Sequence, residues 1–98
     1  MNIKGKVAVI TGAAGGIGRA VAIELAKRGA GHIALVDKTE AVHALATEIS
    51  KETGASTATG YTGDVTDDTF RSWVYEDIRE KRGIVQICVP AAGITRDG

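Results

Sequence analysis

Short apolar runs alternate along this chain with segments whose apolar residues recur at helical spacing. The runs lack a strict polar and apolar alternation, as is typical of parallel strands buried on both faces. We predict four strands, at residues 6–10, 32–36, 56–62 and 84–89. The third signal is the weakest, because the segment is rich in Thr and is interrupted by Gly60.

The segments between the runs predict three helices. The first begins at Gly16, the second follows an N-cap at Thr39 and ends at Gly54, and the third is capped by Thr66 or Asp67. The apolar stripe of the third helix consists of Phe70, Trp73, Val74 and Ile78. Pro90 is predicted to open a loop that continues to the last residue.

Strictly alternating strands and helices indicate an α/β protein with a parallel sheet. Because crossovers are right-handed, the expected architecture is a Rossmann-type doubly wound sheet of four strands in the order 3-2-1-4, with three helices. Residues 1–98 form a single domain. A ligand crevice is expected at the carboxyl ends of the first and fourth strands, where the strand order reverses.

The charge balance excludes some partners. Among 98 residues, 12 Lys and Arg stand against 12 Asp and Glu, so the net charge of zero disfavours nucleic acid and anionic lipid. The chain has no apolar run of the roughly 18 residues that cross a bilayer and starts without a signal-peptide pattern, and we expect a soluble, cytoplasmic protein with no membrane partner.

The single cysteine and the two histidines do not suggest a metal site. Cys88 lies within an apolar run and is predicted to be a core residue, whereas His32 and His43 are predicted at the surface. No cluster of these residue types has zinc-ligand spacing, so no metal ligand is predicted.

The segment from Thr11 to Gly18 leaves the first predicted strand and enters the first helix, with glycine at four of its eight positions. Free amides and the positive end of a helix favour a diphosphate there, although a glycine-rich turn without a ligand has the same composition. Asp37 follows the second strand, where an acidic side chain can accept hydrogen bonds from an adenosine ribose. A solvated or capping aspartate is the alternative interpretation.

Three short motifs, which follow one another along the chain, resemble those of a known family. Thr11-Gly12-x-x-x-Gly16-x-Gly18 resembles the TGxxxGIG motif of the short-chain dehydrogenase/reductase family; Gly63-Asp64-Val65 is similar to its adenine-contact segment, and Ala91-Ala92-Gly93 to the end of its Asn-Asn-Ala-Gly motif. Residues 92–98 resemble the 3-oxoacyl-[acyl-carrier-protein] reductases and acetoacetyl-CoA reductases within that family.

The resemblance implies an NAD(P)-dependent oxidoreductase that reduces a 3-oxoacyl thioester to the 3-hydroxyacyl thioester. Asp37 would repel the 2′-phosphate of NADP and position 15 lacks a basic side chain, so NAD is favoured, whereas Lys38 could neutralise that phosphate. By resemblance, the diphosphate and its ribose are held by Gly12, Ala14, Gly15, Gly16 and Ile17, the adenosine ribose by Asp37, the adenine by Asp64 and Val65, and the nicotinamide-side ribose by Ala91, Ala92 and Gly93.

The chain departs from the family pattern in two ways. Pro90 and Ala91 stand where the family has two asparagines, and the catalytic Ser, Tyr-x-x-x-Lys and Asn of the family have no counterpart here, so no catalytic residue is assigned. We therefore expect a partial fold that stops before the catalytic half and is inactive by itself. A non-catalytic dinucleotide-binding module or an inactive remnant is the alternative, and the resemblance implies a homo-oligomer, a tetramer, for the full-length protein.

Overall fold

The apolar runs form one parallel sheet in the computed structural model, which describes residues 2–54 and 57–91. The elements in chain order are β1 (Val7–Thr11), α1 (Gly16–Lys27), β2 (His32–Asp37), α2 (Ala41–Thr53), β3 (Ala58–Thr62), α3 (Asp68–Arg82) and β4 (Ile87–Pro90). The strand order is β3-β2-β1-β4, with every neighbouring pair parallel. The predicted Rossmann-type architecture is thus confirmed.

Side chains of β1 and β2 divide the core between the two faces of the sheet. Ile10, Ile33 and Leu35 are fully buried against α1 and α2. Val9 and Val36 face the other way, where α3 covers them. Removing each such side chain from water contributes about 1.5–3 kcal/mol, so the two central strands are the most strongly held part of the sheet.

The third and fourth strands differ from the predictions in an informative way. Gly60 does not interrupt β3, because a Cβ there would lie 2.9 Å from the carbonyl carbon and oxygen of Val42, and the missing side chain lets α2 pack closely. The prediction that Pro90 opens a loop is wrong, since Pro90 is the last residue of β4 and pairs with Thr11. Proline is tolerated there because β4 lies at the edge of the sheet that the described residues form. Ser56, predicted in the third strand, lies outside the described residues.

Cys88 was predicted in the core and Trp73 in the apolar stripe of the third helix, and both are exposed. Cys88 lies on the edge strand β4, where the hydroxyl of Tyr75 is 3.5 Å from its Sγ atom. Trp73 is 54% exposed because it lies beside the row of α3 that holds Val74 and Ile78, and its ring packs edge-on against Tyr61.

The prediction of two surface histidines is correct for one of them. His43 is exposed on α2, with Nε2 2.8 Å from the Thr62 hydroxyl. His32 is 2% exposed, and its Nε2 atom lies 2.9 Å from the Thr59 hydroxyl. His32 is buried because it starts β2, which lies between β1 and β3.

Candidate functional site

Three loops meet at the carboxyl edge of the sheet. The parallel register places Thr11 beside Val36, and Asp37 beside Thr62, so β1, β2 and β3 end at the same level. Eight of the eleven predicted site residues lie at the ends of these three strands or in the segments that follow them, up to the first residues of α1. The fold therefore brings together the glycine turn, Asp37 and the segment that begins at Gly63.

The glycine turn is shaped by two backbone constraints. Gly12 has a φ of 71°, a conformation that favours glycine, and its carbonyl accepts a hydrogen bond from the Gly15 amide at 3.1 Å. A Cβ at Gly18 would lie 2.3 Å from the Gly12 oxygen, so only glycine allows α1 to start this close to β1. These two positions explain why the turn needs glycine.

The first amides of α1 are the available anion donors. Gly15 is the N-cap residue and supplies no side chain to the helix end. No group within residues 2–54 or 57–91 accepts a hydrogen bond from the amides of Gly16 or Ile17. Ile17 is also 41% exposed, so this helix end is open to an anion from solvent.

Asp37 contacts all three loops. Its Oδ2 atom accepts a hydrogen bond from the Ala14 amide at 3.0 Å, and its Oδ1 atom accepts one from the Thr39 amide at 3.2 Å. Its backbone carbonyl accepts a third from the Gly63 amide at 2.9 Å. The Ala14 amide is therefore engaged by the protein itself, whereas the amides of Gly16 and Ile17 have no acceptor among the described residues.

Asp64 and Val65 follow β3 on the same edge. Backbone and side-chain hydrogen bonds from Thr66 to Asp64 Oδ1 hold the pKa of Asp64 below its ordinary value, and the positive charge of Lys38 acts in the same direction. Lys38 thus has an acidic neighbour on this edge. Val65 is half-buried among the apolar residues under α3.

A packing contact behind this loop was not anticipated from the sequence. A Cβ on Gly63 would lie 2.4 Å from the ring of Phe70. This side chain of α3 therefore packs directly on the backbone that leads to Asp64. The tethering of the glycine turn to Asp37 was also missed. No local pattern signals that bond, because Ala14 and Asp37 are 23 positions apart; an aspartate at the end of a strand predicts at most the local bond from the Thr39 amide.

The remaining predicted residues follow β4. Ala91 is fully buried at the end of that strand. Ala92 and Gly93, also predicted to contact the nicotinamide-side ribose, lie outside the described residues. The helices within the described ranges are too short or too polar to cross a membrane. In the same ranges, no three His, Cys, Asp or Glu side chains are grouped to hold a metal ion.

A doubly wound parallel sheet with a glycine turn at the start of α1 and an acid at the end of β2 is the Rossmann type of α/β fold. The family model for short chain dehydrogenases matches residues 6–98. The chain belongs to the short-chain dehydrogenase family, as the motif resemblance predicts.

Several relatives are similar over nearly the whole chain. The 3-oxoacyl-[acyl-carrier-protein] reductase FabG of Escherichia coli K12 is 44% identical over 97 residues, which cover 99% of this chain and 38% of that protein. Human 17-beta-hydroxysteroid dehydrogenase type 3 is 43% identical over 84 residues, covering 85% of this chain and 25% of that protein. The chain thus spans well under half the length of these relatives.

Solved structures support the fold at similar identity. L-sorbose reductase from Gluconobacter frateurii, complexed with NADPH and L-sorbose, has a TM-score of 0.79 and 35% identity over 90% of this chain and 34% of its own. A short chain dehydrogenase/reductase from Burkholderia phymatum in complex with NAD has a TM-score of 0.81 and 31% identity over 90% of this chain and 31% of its own.

Proposed function

We propose that this chain binds a nicotinamide adenine dinucleotide at the carboxyl edge of its sheet and prefers NAD to NADP. The observation that carries the proposal is the open pair of amides at Gly16 and Ile17, beside an Asp37 carboxylate held in place by two backbone donors. The bound dinucleotide would supply a hydride to, or accept one from, a substrate carbon. The residues described here bind and orient it.

Each loop has a distinct binding role in this proposal. The Gly16 and Ile17 amides donate to the diphosphate, while Gly12, Ala14 and Gly15 give the turn its shape. Asp37 accepts from the adenosine ribose, and Asp64 with Val65 contacts the adenine. The ribose on the nicotinamide side is the proposed contact of Ala91, Ala92 and Gly93.

The preference for NAD follows from charge. Two unit charges about 4 Å apart repel by roughly 1 kcal/mol in water and roughly 4 kcal/mol at an effective dielectric constant near 20. A 2′-phosphate next to Asp37 would meet this repulsion. Lys38 would offset this repulsion only in part, because its side chain is exposed and solvent screens its charge. We therefore expect NADH to bind at least about tenfold more tightly than NADPH, which corresponds to about 1.4 kcal/mol.

Fluorescence titration of the chain with NADH and with NADPH tests this preference. In Asp37→Ser the difference in affinity between NADH and NADPH should become smaller, because the carboxylate charge is gone. Glu40→Gln is the matched control, since it removes an exposed charge at the start of α2 and should leave this difference unchanged. Equal affinities in the unaltered chain, or tighter NADPH binding, would contradict the proposal.

We further propose that the complete protein reduces a 3-oxoacyl thioester, because of the 44% identity to a reductase of that name. Neither tyrosine of the chain is suited to proton transfer near neutral pH. Burial, with the hydrogen bond to Asp77, raises the pKa of Tyr61 well above its usual range. Burial, with the contact to Cys88, raises the pKa of Tyr75 to about 12. We therefore expect the 98 residues alone to bind cofactor without turning over substrate.

The rival function is a dinucleotide-binding module without catalysis, favoured by Pro90 and Ala91 at the two positions where the family has asparagine. Assay of the full-length gene product with acetoacetyl-CoA separates the two. NADH consumption that depends on acetoacetyl-CoA supports the reductase, and binding without consumption supports the module. As part of the reductase proposal, we expect the complete protein to be cytoplasmic and homo-oligomeric.

A further inference from the structure

One side chain connects the glycine turn to the neighbouring loop. The Ala13 amide donates to the Val36 carbonyl at 3.1 Å, and the Gly15 amide donates back to Gly12 at 3.1 Å. Between them, the Ala14 amide has a side chain as its acceptor, the Asp37 carboxylate. Because that acceptor is ionised, the bond is of the stronger, charge-assisted kind.

The same carboxylate also holds the loop that leads into α2. Oδ1 accepts from the Thr39 amide, two residues ahead of Asp37. The backbone carbonyl of Asp37 receives the Gly63 amide, which ties in the loop after β3. Asp37 therefore connects the loops that follow β1, β2 and β3, which carry the residues proposed to bind the diphosphate, the adenosine ribose and the adenine.

These bonds leave room for a ligand. A carboxylate has about four acceptor positions, two on each oxygen. The Ala14 and Thr39 amides occupy one on each oxygen, which leaves one on each for the two hydroxyls of a ribose. A sugar can thus bind Asp37 without breaking either tether.

We propose that Asp37 is a positioning residue for the glycine turn, in addition to any ligand it binds. Its carboxylate holds Ala14 so that the Gly16 and Ile17 amides point to solvent before a dinucleotide arrives. Removing the carboxylate should loosen the turn in the ligand-free protein. The consequence for cofactor affinity rests on the proposed function, whereas the tether itself does not.

Amide hydrogen exchange measured by NMR on the ligand-free chain tests the tether. In Asp37→Ala we expect the Ala14 amide to exchange about tenfold faster or more, while the Ala13 amide, bonded to the Val36 backbone, changes much less. The matched control is Asp64→Ala, which removes another carboxylate from the same edge of the sheet. Among the described residues, the side chain of Asp64 accepts hydrogen bonds only within its own turn, from Thr66. Unchanged Ala14 exchange in Asp37→Ala, relative to Asp64→Ala, would overturn the proposal.

A measurement on the unaltered chain keeps the test valid if Asp37→Ala fails to fold. We expect a scalar coupling across the hydrogen bond between the Ala14 amide nitrogen and the Asp37 carboxyl carbon. The coupling between the Ala13 nitrogen and the Val36 carbonyl carbon is the internal reference. If the reference is detected and the Ala14 coupling is absent, the tether does not exist. Both measurements use no cofactor, so their failure is distinct from a failure of NADH binding.

Discussion

At the scale of single residues, Gly18 shows most directly how a missing side chain shapes the site. A Cβ there would be 2.3 Å from the Gly12 oxygen and 2.8 Å from the Ala13 Cα atom, and both are backbone atoms that cannot move aside alone. We expect Gly18→Ala to lower the free energy of unfolding by about 1–3 kcal/mol, the usual cost of overpacking. Urea denaturation followed by circular dichroism measures the change.

Gly16→Ala is the control for that substitution. Apart from its chain neighbours and the adjoining backbone of α1, no heavy atom lies within 4 Å of the place where its Cβ would be, and its φ is not positive. The free energy of unfolding should be unchanged or raised by up to about 1 kcal/mol, because alanine has less backbone freedom to lose. Equal destabilisation by both substitutions would show that glycine is not needed at position 18 for close packing.

Residue identity alone did not predict which polar or apolar side chains would be buried. Cys88 was expected inside because its neighbours are apolar, and His32 outside because it is polar. The outcome is the reverse in both cases. Position in the sheet decides it, since β4 is the edge strand of the sheet formed by the described residues, whereas β2 has a strand on either side and helices on both faces.

At the scale of the elements, α3 has the best-defined start of the three helices. The sequence offered Thr66 or Asp67 as its cap, and Asp67 is the residue used: its Oδ1 atom accepts from the Thr69 amide at 2.9 Å and the Phe70 amide at 3.4 Å. We expect Asp67→Ala to cost about 1 kcal/mol of unfolding free energy, because those amides lose their acceptor. Thermal and urea unfolding of the variant provide the measurement.

Asp68→Ala is the matched control on the same helix. Asp68 lies one residue further on and is exposed, and it pairs with Arg71 at the surface. Such pairs contribute little, so the change in unfolding free energy should stay below about 0.5 kcal/mol. If the two variants lose similar stability, general charge near the helix start, and not capping by Asp67, explains the effect.

At the scale of the whole molecule, stability should fall in acid through carboxylates that the fold stabilises. Hydrogen bonds from Tyr61, at 2.7 Å, and from Lys81 hold the pKa of Asp77 below its ordinary value of 3.8. The unfolded chain then binds the proton more readily, so Asp77 stabilises the fold above pH 3.8 and loses this contribution as the pH falls through its lower folded value. Asp77→Asn should therefore show a shallower loss of stability in acid.

Unfolding midpoints in urea, measured from neutral pH down to about pH 3, give that slope. Glu76→Gln is the control, because Glu76 is an exposed neighbour on the same helix. Its acid slope should match that of the unaltered chain. An unchanged slope in Asp77→Asn would mean that the bonds between β3 and α3 contribute nothing to acid stability.

The order of the elements, the parallel sheet and the glycine turn could be predicted from the sequence, because hydrophobic periodicity and glycine requirements are local properties of the chain. Element ends shifted by one to three residues where pairing across strands decided them, as at Pro90 beside Thr11. The tertiary structure alone decided that Asp37 meets the Ala14 amide across 23 positions, and that Phe70 packs on Gly63. Such contacts depend on strand register and helix packing, which bring distant residues together without leaving a local pattern.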